Sequence, residues 1–498
     1  MLKKILAVMT AAALLFAIAP FSFASDNDVD YTINSPYEGV DFSTYNRYKA
    51  DLHSHTTFSD GGNSLPEMVE RHYELGFDIL AISDHGTVSY GFTSQRHNEP
   101  MLVFSLIDNG EYVGDVLAES GVAANGNAYS VYNKGTDEYY AQTFSSGEKG
   151  QELMRVPYAN EQNPTSFNNA HVNSWFVDYG HGVVGGTSNY LSPISKVDEL
   201  GGLCVINHPG EYTNARDEES TADAYNLEDS TYEYKINKFI NILNTYNACI
   251  GIDINSKGDS RTRYDRKLWD ILLQKILPVG ERNVFAIATS DAHNLNIVDS
   301  GYTVMLMPEL TSDSLKASLA NGEFFAASKY LGNYDEQVRY KASLEAIGTA
   351  EALELAGLLG NAINANDKFN ATDYPEAAAP VISNITVDET EDTITLTTEN
   401  TLVTHWIADG KVIHVGNTID LDDYSDEIGK YVRAESLGKG GIIYTQAFVL
   451  DYDGAPTAEK DGFFFDWGTI ASAICDIPVK ILVGLLKTPI KVVFDILV

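Results

Sequence analysis

The residues of this chain that could do chemistry fall into four short motifs. The first is Asp51-Leu-His-Ser-His-Thr-Thr-Phe-Ser-Asp-Gly61. His53 and His55 lie two apart at the end of a strand-like run. Alternate residues of an extended chain share a face, so both imidazoles can reach one metal ion. Asp60, on the loop that follows, can add a hard oxygen ligand. The second motif is an apolar run from Ile79 ended by Ser83-Asp84-His85-Gly86. The third runs from Leu203 to Asn207-His208-Pro209-Gly210, and the fourth from Val284 to Ser290-Asp291-Ala292-His293. In each, an apolar strand stops and His or Asp follows at once. A lone His after a strand is usually a capping or core residue, with about one chance in ten of ligation. Four such motifs in one region would require four coincidences. Mixed imidazole and carboxylate sets suit zinc, manganese or iron.

Positioning these motifs requires strands that end together. From Tyr48 to about Leu331, β-like runs alternate with helix-like segments. Expected strands are 48–52, 79–83, 203–207, 248–254, 284–289 and 302–307. Expected helices are 65–75, 232–244, 265–276 and 312–319, the first opened by the capping box Ser64-Leu-Pro-Glu67. Such alternation indicates a parallel sheet or barrel, where functional side chains gather at the carboxyl ends of the strands. Residues 332–378 read as a partly helical linker. Short β-branched runs over 379–453 predict a small all-β, immunoglobulin-like sandwich. The apolar tail, 463–498, carries scattered lysines and two prolines and no charge-free run of spanning length. It suits a membrane surface or cell envelope, or docking onto the fold.

In order and local context, the four motifs resemble the signature of the polymerase and histidinol phosphatase (PHP) domain family, over about residues 46–331. The resemblance implies a distorted (β/α)7 barrel holding up to three divalent metal ions, together with a Glu and a His between the second and third motifs. Glu161, in Arg155-Val-Pro-Tyr-Ala-Asn-Glu161, and His171, preferred to His181, are the residues assigned to that pair. The implied ligands are His53, His55, Glu161 and Asp291 for one ion, Glu161, His171 and His208 for a second, and Asp60, His85 and His293 for the third. Glu161 would bridge two ions, and a hydroxide between them would attack a phosphate ester. His208 or a water would assist the leaving group. Asp84 orients a ligating imidazole or is a turn residue. His72, His97, His405 and His414 read as surface residues. The insertion over about 90–153 shows little helix or strand signal; it either covers the site or decorates the surface.

The composition narrows the substrate. Asp and Glu number 70 against 33 Lys and Arg, a formal charge of −37. Such a surface repels long nucleic acids, so a small phosphorylated substrate is expected. The rival readings are an extracellular nuclease or phosphodiesterase, a metal-stabilised surface protein without catalysis, and a metal-dependent amidohydrolase. Cys204 and Cys249 sit in strand-like runs and, with Cys475, make no disulfide framework. Lys3 and Lys4, the apolar stretch Ile5 to Ala19 and Ser22-Phe23-Ala24 read as an export signal over residues 1–24. The mature, extracytoplasmic protein is therefore expected to begin at Ser25. N-terminal sequencing of secreted material tests this, and retention of Met1 would contradict it.

Overall fold

The computed structural model describes residues 29–94, 116–162, 170–180, 190–280 and 282–460, with the single positions 470, 474, 478, 481 and 485. The expected export signal and most of the apolar tail, with His97, His181 and Cys475, lie outside the described residues. Seven strands surround the motif residues: β1 (Asn46–Ser54), β2 (Ile79–Ile82), β3 (Asn160–Gln162), β4 (Val172–Trp175), β5 (Leu203–Ile206), β6 (Cys249–Asn255) and β7 (Phe285–Ala288). β1 pairs with β2 in parallel, as do β5 with β6 and β6 with β7. β4 runs antiparallel to both β3 and β5.

The alternating pattern predicts parallel neighbours throughout, and β4 departs from it. A parallel crossover needs about a dozen residues or more, and the chain between Gln162 and Val172 is shorter than that. β3 to β7 form one five-stranded sheet, while β1 and β2 belong to a fourteen-stranded one. Two single parallel bridges join the sheets, Ser54 with Ala292 and His85 with Glu161. Both lie at the carboxyl ends of strands, among the motif residues. The expected helices form at Leu65–Glu74, Ser230–Thr245, Asp265–Ile276 and Ser312–Asn321. The first carries its capping box, with Ser64 N donating to the Glu67 carboxylate at 2.8 Å.

Three other regions differ from expectation. The insertion, read as nearly featureless, contains the strands Ser120–Val122, Ala128–Lys134, Asp137–Thr143 and Lys149–Arg155. They make an antiparallel meander whose last strand adds to β2. Gly126, Gly135 and Gly147 lie in the turns between these strands with left-handed backbone, and Tyr132 stacks on Tyr139 across the pair with ring centroids 6.0 Å apart. The supposed linker is mostly two helices, Tyr334–Ile347 and Ala350–Ala365, which bury Tyr340, Leu344, Leu355 and Leu359 in the main core. Strands from both sides of position 379 share the fourteen-stranded sheet. Strand Gly441–Tyr444 pairs with Phe324–Ser328, which pairs with Gly301–Met307, which pairs with β1. A further three-stranded sheet, Val381–Asp388, Thr393–Glu399 and Thr418–Asp420, lies apart from it. His405, expected on the surface, is buried against Tyr340 with nearly parallel rings 4.3 Å apart. His414, in contrast, is half-buried and hydrogen-bonds the Tyr424 hydroxyl at 2.8 Å.

Buried ion pairs tie the C-terminal strands to the α/β part. Arg433 binds Asp270 at 2.7 and 2.8 Å and Glu435 at 3.0 Å, and Glu435 also accepts from Tyr340 at 2.6 Å. Removing the cation leaves Asp270 buried without a counter-charge, whereas Glu435 keeps Arg339 at 2.9 Å. Arg433→Met should therefore cost about 3–5 kcal/mol of stability. Urea unfolding of the full chain measures it, and a loss below about 1 kcal/mol, the range of an exposed ion pair, would show that these charges are not desolvated.

Candidate metal centre

The two motif histidines of β1 emerge on one face, as the period-2 geometry of a strand demands. Their Nε2 atoms stand 3.0 Å apart. Facing them are Glu161 Oε2, 3.2 Å from each, and Asp291 Oδ1, 3.3 and 3.2 Å away. All four side chains are buried. Four donors at tetrahedral corners, about 2.0–2.1 Å from a zinc-like cation, stand about 3.3–3.4 Å from one another. The observed spacings match that cradle.

Glu161 faces two ways. Oε2 meets His53, His55 and, at 3.2 Å, His85 Nδ1. Oε1 meets His171 Nδ1 at 2.9 Å and His208 Nε2 at 3.3 Å, and accepts from Asn207 Nδ2 at 2.7 Å. Burial pushes the Glu161 carboxyl up, but His171, His53 and His85 outweigh it and hold the group well below the usual carboxylate range. The same balance acts at Asp291, where burial is overcome by His53 and Lys257. At the mouth, exposed Asp60 stands 3.2 Å from His293 Nε2, 3.5 Å from His85 Nε2 and 3.4 Å from His55 Nδ1.

Three donor groups result: His53, His55, Glu161 and Asp291; His85, Glu161 and His171; and His55, Asp60, His85 and His293. The structure thus brings all nine expected ligands into one cluster. The grouping differs from the implied one at two points. His85 stands between Glu161 and Asp60, and His208 faces Glu161 Oε1 and Asp291 Oδ2, the latter at 3.4 Å, without completing a three-donor group. Buried His208 makes no hydrogen bond through either ring nitrogen, nor does His53 through Nδ1. Buried polar atoms are seldom left so, and an ion is one explanation that the donor chemistry fits.

Supporting contacts fix these side chains. Asp84 accepts from Thr56 N, Thr56 Oγ1 and Ser59 Oγ, each at 2.7 Å. It reaches an imidazole only through Ser59, whose Oγ lies 3.3 Å from His55 Nδ1, so its direct work is to brace the loop bearing Asp60. His72, expected on the surface, is buried and bridges Met68 O at 2.7 Å to Asp51 at 3.1 Å. Asp51 in turn accepts from the Ser290 hydroxyl, next to Asp291. The backbone is left-handed at His208 (φ 26°), Lys257 (φ 50°), Asp259 (φ 56°) and Asp291 (φ 47°). Such residues cost about 1–3 kcal/mol each and persist where surrounding contacts over-determine them, often at functional sites.

Sequence reasoning overlooked Asn207, Glu211, Tyr212 and Lys257. Tyr212 OH lies 3.1 and 3.2 Å from the His171 ring nitrogens. Lys257 Nζ sits 2.9 Å from Asp291 Oδ2 and 3.0 Å from Glu211 Oε2. A signal for Lys257 existed: β6 is also an apolar strand with polar residues at its carboxyl end, but those are Asp, Asn and Lys rather than His.

Among known proteins, the PHP domain model matches residues 51–154, which hold the first two motifs. The DNA polymerase/3'-5' exonuclease PolX of Bacillus subtilis is 36% identical over 62 residues, 12% of this chain and 11% of that protein. The chain thus spans about a tenth of that relative. A solved two-domain protein of Bacteroides vulgatus, containing a predicted PHP-like metal-dependent phosphoesterase, is similar over 89% of this chain and 98% of its own, at 13% identity and a TM-score of 0.35. The lesion-specific endonuclease EndoQ of Pyrococcus furiosus is similar over 55% of this chain and 56% of its own, at 11% identity and a TM-score of 0.28.

Proton linkage gives a direct test of cation binding. At His53 and His55, burial lowers the pKa, but the carboxylates of Asp291 and Glu161 more than offset it and raise both above 6.5. Ligating imidazoles must be neutral, so cation uptake at neutral pH should release protons, and affinity should fall as pH drops through those raised values. Calorimetry in buffers of different ionisation enthalpy measures the release; uptake of zinc or manganese with no proton release would contradict this assignment.

Proposed function

We propose that this chain is a metal-dependent phosphoesterase that hydrolyses a small phosphate ester at a site of two to three divalent ions. The observation that supports it most is the Glu161 carboxylate, whose two oxygens face different histidine sets at 2.9–3.3 Å. Such a carboxylate can hold two cations side by side. Zinc, manganese or iron at such a site supplies an acidified water and neutralises phosphoryl oxygens. On this reading His53, His55, Asp60, His85, Glu161, His171, His208, Asp291 and His293 hold the ions. Asn207 Nδ2 fixes Glu161 Oε1. His208, whose pKa burial and Lys257 depress to about 4, is neutral at pH 7 and suited to ligation rather than to donating a proton. The PHP match over residues 51–154 supports the same reading. The two single bridges at Ala292 and Glu161 suit closure of β1 to β7 into a distorted ring. The export signal would place the reaction outside the cytoplasm, and the tail would hold the protein at the envelope.

Cleavage of nucleic acid phosphodiesters is the second reading. The Bacillus subtilis relative is named an exonuclease, and paired-metal chemistry serves diesters equally. The charge of −37 weighs against it, because a long polyanion would be repelled over most of the surface.

Glu161→Gln keeps the size but weakens the grip on cations, and His55→Ala removes a donor from two groups. Each should cut turnover of a phosphomonoester by a factor on the order of a hundred or more, with the far-UV dichroism retained. Turnover measured before and after chelation and metal repletion completes the test. Full activity in Glu161→Gln would remove that carboxylate from the chemistry, and activity unchanged by complete chelation would end the proposal.

A further inference from the structure

One rim of the site is cationic in an otherwise acidic protein. Lys257 follows β6 in a turn where Lys257, Gly258 and Asp259 are all left-handed, with φ of 50°, 59° and 56°. Three anchors hold that turn. Buried Arg266 grips the Asp259 carboxylate with two bonds of 3.0 Å, Gly332 N donates to the same carboxylate at 2.5 Å, and Lys368 Nζ donates to Gly258 O at 2.6 Å. The strained turn thereby delivers the Lys257 ammonium to Asp291 Oδ2 at 2.9 Å, inside the donor cluster, while the side chain stays 20% exposed. Arg261, from the same loop and half-exposed, pairs with Glu211. Arg216 stands 3.5 Å from Glu211 and is shared with Asp217. Lys257 Nζ completes the set at 3.0 Å, so one carboxylate, Glu211, ties three cations together.

An ammonium beside ligands for divalent cations adds like charge to a positive site. Asp291 cannot be its full counter-ion if it also serves a cation, and Glu211 is shared among Lys257, Arg261 and Arg216. The arrangement becomes favourable when a further anion lies between the ammonium and the ions. Resting on the phosphoesterase reading, we propose that Lys257 binds a non-bridging oxygen of the substrate phosphoryl group, with Arg261 facing its terminal oxygen. The substrate class selected is a phosphomonoester dianion. A diester has one negative charge fewer and puts an esterified oxygen where the rim offers cations.

Calorimetric titration of manganese-loaded full-length protein with inorganic phosphate tests the rim without turnover. Losing one charge-assisted bond should weaken phosphate binding about tenfold or more in Lys257→Met, with metal content by elemental analysis unchanged. Lys257→Arg, which keeps the charge, should stay within about threefold, and Arg261→Met, at a more exposed position, should lose about threefold. In turnover, Lys257→Met should raise KM for p-nitrophenyl phosphate and lower its preference over bis(p-nitrophenyl) phosphate. Unchanged phosphate affinity in Lys257→Met, a loss matched by lost metal, or a wild type that binds no phosphate would overturn the proposal. If the strained turn makes both Lys257 variants misfold, Arg261→Met decides: weakened phosphate binding supports the rim and unchanged binding overturns it. Failure of the phosphoesterase reading looks different, since the wild type would then turn over neither ester while the phosphate titration still reports on the rim.

Discussion

A carboxylate taken out of water must find donors for both oxygens, and Glu161 is faced by nitrogen atoms on each. His53, His55 and His85 crowd one, and His171 and His208, with the Asn207 amide, crowd the other. Much of the surrounding architecture serves that meeting. The partners come from four chain segments, and Glu161 itself lies on a three-residue strand. The single bridge between His85 and Glu161 brings the second motif to the carboxylate, and the bridge between Ser54 and Ala292 brings the fourth motif to the first. The donors come from two sheets, and those two bridges link the sheets at the site.

The site is held by rigid supports that lie outside the donor cluster. Asp51 couples His72 to Ser290, and Asp84 clamps the loop carrying Asp60. Arg266 locks the turn that aims Lys257, and the same guanidinium reaches Glu336 at 2.7 Å on a helix of the region read as linker. The helix Tyr334–Ile347 thus acts on the site through buried charge, and its Arg339 joins it to Glu435 of the C-terminal strands. Charges of this kind are costly to bury and costly to leave half-paired, which makes the geometry around them resistant to drift. Backbone strain at His208, Lys257, Asp259 and Asp291 is concentrated in the same place. A chain that tolerates it there must compensate through packing elsewhere.

The misread regions share a cause. The Tyr-rich insertion strands bury one another's rings, and that partner is invisible along a single strand. His72 reads as a surface histidine from its place on a predicted helix, and His405 from its place in the β-rich region. Only in space do Asp51 and Met68, or Tyr340 and Ser343, surround them. Lys257 escaped notice because its strand ends in Asp, Asn and Lys rather than His, and lysines are usually solvated.

From the sequence came seven candidate ligands in the four motifs, the strands that carry most of them, and the expectation that these strand ends converge. Those follow from local rules: apolar runs form strands, alternate residues share a face, and His with Asp suits divalent ions. Glu161 and His171 join them only because the family resemblance implies such a pair. Only the tertiary structure decided how the donors group, that His85 stands between two sets, that β4 runs antiparallel, and that strands from both sides of position 379 share one sheet. It also decided the positive rim at Lys257, Arg261 and Arg216. These depend on distances between segments far apart in the chain, and such distances are set by packing and by the pairing of buried charges, which no local pattern of residues encodes.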